Sequence, residues 1–327
     1  MKLVSLLLLF LTAFGFYSTN SSSSYNYDID NDGIDDVLEQ MLAETFSPVI
    51  KFHPDEKFYP TSVESFLNAS NLMYYHDDDL KLNCLVSDNV NIDNLLTFQH
   101  QDTITCLSNK CMHSGDVKSS DSTHSNSTKF NLQLKTSEFY TGSSNLDSVP
   151  VYAHVHPSQN EIFPNTITIQ YWFLYAFNGP QMKCLGAHEG DFEHISIIYD
   201  TYSITHAYYS AHSHEGTWKP VSEISFINGT HPIVYSALNS HASYESPGVK
   251  KRKTTFGIIN DHCADGGEVW TPTAINIGES QRPMPGSEWI QYSGSWGSLT
   301  SVKFPCAAFD GSPPENPSIQ RDYWIYN

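Results

Sequence analysis

Positively charged residues are scarce in this 327-residue chain. It contains 17 Lys and Arg against 36 Asp and Glu, which gives a formal net charge of −19 at pH 7. Binding to nucleic acid needs clustered Lys and Arg to face the phosphates. The one basic cluster is the short run 250–253, which has the character of a solvated loop. The composition therefore excludes a nucleic-acid partner.

Long hydrophobic runs are also missing after the first residues. Lys2 precedes an apolar stretch over residues 4–11, and small residues follow it, which is typical of a secretory signal peptide over residues 1–18. The apolar stretch is too short to span a bilayer comfortably. We expect the signal to be cleaved, with an uncleaved anchor as the alternative, and residues 19–45 to begin with a Ser/Asn-rich tether.

Several motifs of known enzymes and metal sites are absent. The chain has no CxxC pair, no G-x-S-x-G elbow and no H-E-x-x-H sequence, which argues against a zinc ribbon, an α/β-hydrolase and a zincin. Cysteines are present in an even number, which favours up to three disulfides in an oxidising compartment without fixing their pairing. They are Cys84, Cys106, Cys111, Cys184, Cys263 and Cys306.

Four N-glycosylation sequons agree with export to an oxidising compartment. They begin at Asn20, Asn68, Asn126 and Asn228. Together with the leader, they predict a glycoprotein that is secreted or resides in the endolysosomal or vacuolar lumen.

Short segments rich in aromatic and β-branched residues recur along the chain, with turn residues between them. They cover residues 151–156, 166–177, 193–199, 203–210, 224–227, 233–237 and 255–259. Strands at this spacing predict a mainly β protein, a β-sandwich over residues 46–327, rather than βαβ units. Residues 108–128 are dense in Ser, Asp, Asn and Lys and predict a low-complexity surface loop.

A calcium-type loop precedes this β domain. Asp28, Asp30 and Asp32 alternate, Gly33 allows a sharp turn, and Glu39 stands where a bidentate ligand closes such a loop. The pattern predicts a calcium ion held by Asp28, Asp30, Asp32 and Glu39 at the start of a short helix. The alternative is an acidic N-terminal cap for that helix, since carboxylates favour this end.

The stretch 186–194 contains several residues that could bind a metal ion or transfer a proton. Side chains alternate along a strand, so Asp191 and Glu193 project from the same face, and His188 lies in the loop just before them. An imidazole and two carboxylates at a strand entrance predict a divalent-cation or acid/base site. A polar strand edge, or a hydrogen-bonded structural network, is the alternative interpretation.

Five ordered blocks now resemble a known family: residues 47–63, 169–180, 186–195, 210–218 and 234–244. Together they are similar to the vacuolar protein sorting-associated protein 62 family, over roughly residue 46 to the C-terminus. The family name points to vacuolar protein sorting in yeast and implies no mechanism.

A more distant likeness is to the necrosis- and ethylene-inducing toxin-like proteins. Their heptad places His, Asp and Glu in an H-x-x-D-x-E order around a divalent cation, and His188, Asp191 and Glu193 match that spacing. The resemblance implies a β-sandwich with a Ca²⁺ or Mg²⁺ pocket, in proteins that bind membrane sphingolipid headgroups. Their further Asp has no clear counterpart here, and Asn178 is nearest in order.

These observations predict a binding protein with a divalent-cation pocket for a lipid headgroup or a glycan, with Asn178, Glu189 and His241 as ligand contacts. The alternatives are a metal-dependent hydrolase with Glu189 or His241 as proton acceptor, and a luminal sorting or structural protein with a vestigial site. We interpret the other histidines of these blocks as structural or surface residues; they are His194, His212 and His214.

Overall fold

The computed structural model describes residues 27–75, 83–100, 105–106, 109–110, 117–120, 129–180, 186–212, 215–253, 259–300, 311–320 and 324. Among the predictions that lie outside this part are the signal peptide, Asn20, Asn126, His214, Cys111, Cys184, Cys306 and the side chain of Cys106. The described part contains two α-helices, α1 (Asp36–Thr45) and α2 (Val63–Asn68). Neither they nor the other described helical turns combine the length and apolar character needed to cross a bilayer.

Short strands make up most of the regular structure. They are β1 (Val49–Lys51), β2 (Ser70–Tyr75), β3 (Asn83–Ser87), β4 (Gln99–His100), β5 (Thr105–Cys106), β6 (Asn109–Lys110), β7 (Val117–Lys118), β8 (Phe130–Leu134), β9 (Val151–Pro157), β10 (Ile167–Asn178), β11 (His188–Tyr199), β12 (Ile204–Tyr209), β13 (Thr217–Pro220), β14 (Phe226–Ile227), β15 (His231–Ser236), β16 (Ser243–Tyr244), β17 (Gly248–Lys251), β18 (Asn260–Cys263), β19 (Val269–Trp270), β20 (Ala274–Asn276), β21 (Gly278–Glu279) and β22 (Arg282–Pro283).

A six-stranded sheet lies at the centre, with the strand order β13-β12-β11-β10-β9-β20. Its two longest strands, β10 and β11, pair antiparallel over nearly their whole length. Their aromatic and β-branched residues are buried on both faces, as expected for strands covered on two sides. The aromatic run 171–177 therefore belongs to the core, as the sequence predicts.

One face of the central sheet packs on a second sheet, ordered β14-β15-β1-β19 with β16 beside β15. The core between them includes Tyr171 and Phe173 from β10 and Ile50, Val234 and Trp270 from the second sheet. Two sheets packed face to face over an apolar core confirm the predicted mainly β sandwich.

The other face is covered by α2, by the small sheet β3-β2-β8, and by the C-terminal part of the chain. Trp289, Tyr292 and Trp296 of this C-terminal part are fully buried. The Pro- and Gly-rich tail is irregular apart from short strands and 3-10 turns at Glu288–Gln291 and Pro317–Ile319. Its aromatic residues nevertheless make it part of the core.

Helix α1 is docked on the edge of the central sheet. Asp35 caps the helix by accepting a hydrogen bond from the backbone N–H of Val37. The Gln40 side chain then bridges the open edge of β20, because it donates to the carbonyl of Ala274 and accepts from the N–H of Asn276. One glutamine thus satisfies backbone groups that an edge strand otherwise leaves open.

Part of the predicted surface loop 108–128 is more ordered than expected. Strand β7 pairs with β4, and the adjacent Ser119 is fully buried. Its hydroxyl donates to the carbonyl of Leu95, and its own carbonyl accepts from the N–H of Ser293. These bonds fix this segment to the core, which its polar composition does not reveal.

Candidate functional site

A polar cavity of about 420 Å³ opens where β10 ends and β11 begins. Its wall includes Asn178, His188, Asp191, Glu193, His212 and Ser240. Arg252 and residues 311–314 of the C-terminal part complete the wall that the structure describes. The volume lies within the usual range for small-ligand pockets.

His188 and Asn178 face each other across the entrance to the two strands. His188 is the first residue of β11 and lies opposite Asn178 in the register, so the prediction that places it in the preceding loop is wrong. Its Nδ1 atom lies 2.7 Å from the carbonyl of Gly190 and donates to it, which leaves Nε2 available. The Asn178 amide donates to the carbonyl of Gly186 at 2.7 Å, which closes the loop between the strands.

Asp191 and Glu193 lie on the cavity face of β11, opposite Tyr175 and Phe173. Both are largely buried. Burial, together with the nearby carboxylates of Asp191 and Asp261, raises the pKa of Glu193 well above its ordinary value, and Arg252 opposes this shift. No hydrogen bond reaches Glu193 from the described residues, which is unusual for a buried carboxyl group.

His241 lies behind Asp191 rather than in the cavity wall. Its Nδ1 atom is 2.9 Å from Oδ2 of Asp191, its Nε2 atom is 3.9 Å from Oε1 of Glu56, and its ring stacks on Tyr175 with centroids 3.8 Å apart. Burial opposes a charge on this ring, but the two carboxylates outweigh it and raise the pKa of His241 to about 9. The predicted ligand contact is instead a positioning residue for Asp191.

Glu56 is the second carboxylate of this arrangement, and the sequence did not single it out. It accepts hydrogen bonds from the backbone N–H groups of Lys57, Phe58 and Asn239. Burial opposes its ionisation, but His241 and these donors lower the pKa of Glu56 below its ordinary value. Glu56 therefore holds the turn before His241 against the segment that follows β1.

Glu189 does not contact the cavity, so its predicted role as a ligand contact or proton acceptor is wrong. Its carboxylate accepts from the hydroxyl of Tyr140 at 3.0 Å and from the N–H groups of Leu134 at 3.0 Å and Ser298 at 3.2 Å. The cause is Gly190, which has a φ of +64° and interrupts the side-chain alternation of β11. A Cβ at Gly190 would lie 1.7 Å from the carbonyl oxygen of Trp296, so only glycine fits there.

Asp261 organises a second part of the cavity. It accepts from Nε2 of His212 at 2.6 Å, from the hydroxyl of Ser240 at 2.8 Å and from the hydroxyl of Tyr244 at 2.7 Å. Burial opposes ionisation of Asp261, but these donors lower its pKa. His212 has a φ of +34°, a backbone conformation that is strained for histidine. Sequence reasoning missed Asp261, because no local pattern marks it and its partners come from other segments.

The three predicted cation ligands of the cavity line one wall but do not converge. Two groups of three ligand atoms within 4.8 Å of one another occur among the described residues, and both lie in the N-terminal loop. One group consists of Asp30, Asp32 and Glu39, and the other of Asp28, Asp30 and Asp36. The acidic N-terminal loop therefore assembles a set of carboxylates that could hold a metal.

Cys263 departs from the predicted set of disulfides. It is a buried free thiol that donates to the carbonyl of Tyr235. It packs in a small cluster with Ala211, Ala237 and Ala242, so the core encloses its sulfur. Cys84 is buried on β3 and does not carry a free thiol. Of the sequon residues in the described part, Asn68 and Asn228 are both exposed, and their glycosylation stays a prediction.

Comparison with solved structures finds toxin-like proteins, in agreement with the predicted distant likeness. Necrosis and Ethylene inducing Protein 2 from the causal agent of cocoa's witches' broom disease is 12% identical, with a TM-score of 0.33 over 75% of this chain and 76% of that one. NLPPya in complex with glucosamine is 11% identical, with a TM-score of 0.37 over 94% of this chain and 99% of that one. TM-scores this low carry no functional argument.

Sequence comparison gives a more direct assignment. Vacuolar protein sorting-associated protein 62 of Saccharomyces cerevisiae is 26% identical over 157 residues. That match covers 39% of this chain and 34% of the yeast protein, so it spans about a third of the relative. The family model described as Vacuolar protein sorting-associated protein 62 matches residues 33–305, which is most of the sequence. The chain belongs to the vacuolar protein sorting-associated protein 62 family.

Proposed function

We propose that this protein binds the hydroxyl or phosphate oxygens of a glycan or a lipid headgroup in the polar cavity. Asp191 and Glu193 with His188 would hold a divalent cation, Ca²⁺ or Mg²⁺, which would supply positive charge for these ligand oxygens. The observation that carries the proposal is Glu193, a buried carboxyl group that faces the cavity without a hydrogen-bond donor among the described residues.

A cation supplies what this carboxyl group lacks. Two carboxylates in a poorly solvated wall repel each other unless a proton or a cation lies between them. Burial and, after it, the carboxylates of Asp191 and Asp261 raise the pKa of Glu193 above its ordinary value. His241 holds Asp191 in place, and Glu193 and His188 would complete the set of ligands.

The remaining wall favours a polyhydroxylated ligand over an apolar one. His212, Ser240 and Asn178 offer imidazole, hydroxyl and amide groups, and Arg252 offers a guanidinium group for a phosphate. The same polar groups would bind a free glycan or the headgroup of a membrane lipid, so the experiment compares these two ligands. A secreted or endolysosomal glycoprotein would meet both.

A metal-dependent hydrolase is the second candidate, and His212 is the observation that favours it. Asp261 holds Nε2 of this cavity residue, which is how a general base is oriented while its other nitrogen faces a substrate. Glu189 and His241 cannot serve as the proton acceptor, because the former is saturated by three donors and the latter lies behind Asp191. A luminal sorting protein with a vestigial cavity is the non-binding alternative.

The test uses the full chain and a Glu193→Gln variant, with the exposed Glu223→Gln as matched control. Each protein is analysed for bound metal and then assayed against liposomes and a glycan array, with Ca²⁺, with Mg²⁺ and with chelator. We expect cation-dependent binding in the wild type and the control, and its loss in Glu193→Gln. Binding that is equal with chelator and with cation contradicts the proposal. Turnover of ester or glycoside substrates that disappears in His212→Ala supports the hydrolase.

A further inference from the structure

The acidic N-terminal loop contains a second cluster of polar groups, separate from the cavity. Asp30 is 4% exposed and Glu39 is fully buried, although both carry carboxyl groups. Oδ1 of Asp30, Oδ2 of Asp32 and Oε1 of Glu39 have no hydrogen-bond partner in the described structure, and these residues form one of the two converging groups. Three buried, unpartnered acceptors that face one another are costly unless a cation lies between them.

The second oxygen of each carboxylate is already fixed by a donor. Oδ2 of Asp30 accepts from the N–H of Glu279 at 3.2 Å, and Oδ1 of Asp32 accepts from the N–H of Ile34 at 2.7 Å. Oε2 of Glu39 accepts from the amide of Asn276 at 2.8 Å. The three groups are therefore held in place, and each offers an oxygen within 4.8 Å of those of the other two.

The neighbouring acids have a different role from the one that the sequence pattern gives them. Both oxygens of Asp28 accept from the backbone N–H groups of Asp32 and Gly33, at 3.2 Å each. Both oxygens of Asp36 accept from the N–H of Ile29, at 3.1 Å. These two residues brace the loop, which leaves Asp30, Asp32 and Glu39 as the ligand set.

We propose that Asp30, Asp32 and Glu39 bind one Ca²⁺ ion that fastens the N-terminal loop and helix α1 to the edge of the central sheet. The donors that hold Glu39 and Asp30 come from β20 and β21, more than 230 residues away in the chain. Carboxylate oxygens in a loop suit the flexible coordination of Ca²⁺ better than the strict octahedron of Mg²⁺. The ion is thus part of the tertiary packing, not of the ligand cavity.

The alternative is a metal-free cluster in which a protonated Glu39 hydrogen-bonds to its neighbours. Burial and the nearby Asp30 and Asp32 raise the pKa of Glu39 to about 9, and burial raises the pKa of Asp30 to about 6. Such a cluster is insensitive to calcium. The two states therefore differ in a measurable way.

The experiment titrates the full chain, prepared in chelator, with CaCl₂ and with MgCl₂ and follows heat of binding and thermal unfolding. We expect calcium at 100 times its dissociation constant to raise the Tm by about 5 °C, and magnesium to act more weakly. The Glu39→Gln and Asp30→Asn variants lose this rise. In chelator they should unfold close to the wild-type temperature, because the amide oxygen can still accept from Asn276 or Glu279.

Asp35→Asn is the matched control, since it lies in the same loop and asparagine caps a helix as well as aspartate does. It should keep the calcium response. Measurements in the Glu193→Gln background isolate this site from the cavity. An unchanged wild-type Tm at millimolar calcium, or a full calcium response in Glu39→Gln, overturns the proposal.

Discussion

His241 and Asp191 form a buried pair in which Nδ1 of the imidazole lies 2.9 Å from Oδ2 of the carboxylate. The ring is completely inaccessible to solvent, and Glu56 faces its other nitrogen. A charged imidazole between two carboxylates from distant segments fixes Asp191, which lines the cavity. The cavity therefore depends on residues that do not line it.

Removing this imidazole should destabilise the fold. His241→Ala leaves the carboxylates of Asp191 and Glu56 buried without their shared cation, and loss of one partner of a buried pair costs about 3–5 kcal/mol. Denaturant unfolding measures the change. His262→Ala, at an exposed position of β18, is the control and should change stability by less than about 0.5 kcal/mol. Equal stability of the two variants would show that the pair contributes nothing.

The sequence predicts the central strands because they are long runs of aromatic and β-branched residues, which the structure buries on both faces. It also predicts that Asp191 and Glu193 share a face, because alternation holds along that part of β11. The alternation does not extend to Glu189, two residues earlier, whose carboxylate lies away from the cavity. The left-handed backbone of Gly190 redirects the chain there, and Phe177, opposite Glu189, packs in a different core cluster from Tyr175.

Glu56 and Asp261 could not be found from local sequence. Each becomes important only when folding brings it beside a histidine from another segment, and neither lies in a recognisable spacing. The N-terminal loop was easier to predict, because its aspartates alternate within twelve residues. Which of these acids keep an unpartnered oxygen required the structure, since Asp28 is used by backbone donors that the pattern does not show.

Glu189 should act as a structural acceptor. Glu189→Ala removes the partner of Tyr140, Leu134 and Ser298, and unsatisfied buried donors cost about 1–3 kcal/mol each. We expect a loss of about 3 kcal/mol or more in free energy of unfolding, a smaller loss in Glu189→Gln, and unchanged ligand affinity in Glu189→Gln. Glu138→Ala, at an exposed site, is the control. A general base would instead show lost turnover in Glu189→Gln at unchanged stability.

The thiol of Cys263 should be unreactive in the native protein. Burial raises its pKa to about 12, from 9, so the thiolate fraction is about 1,000-fold lower than in the unfolded chain. An alkylating reagent added without reductant should modify Cys263 only after the protein is unfolded, and mass spectrometry of the peptides measures this modification. The Cys263→Ala variant should lack this label. Native labelling at the rate of a free cysteine contradicts the buried position.

Acid should destabilise the protein through His156. Burial, and the neighbouring His154, lower the pKa of His156 to about 3, whereas Glu279 acts in the opposite direction. Between pH 6.5 and 3 the unfolded chain binds a proton at this residue, whereas the folded chain does not. The free energy of unfolding is therefore not reduced by His156 above pH 6.5, and it decreases as the pH falls below that value. One excluded proton corresponds to about 1.4 kcal/mol per pH unit. The His156→Leu variant should lose this component of the slope between pH 6 and 4, measured by denaturant unfolding, whereas the control His262→Ala should retain it. An identical slope in wild type and His156→Leu would mean that His156 binds its proton equally well in the folded protein.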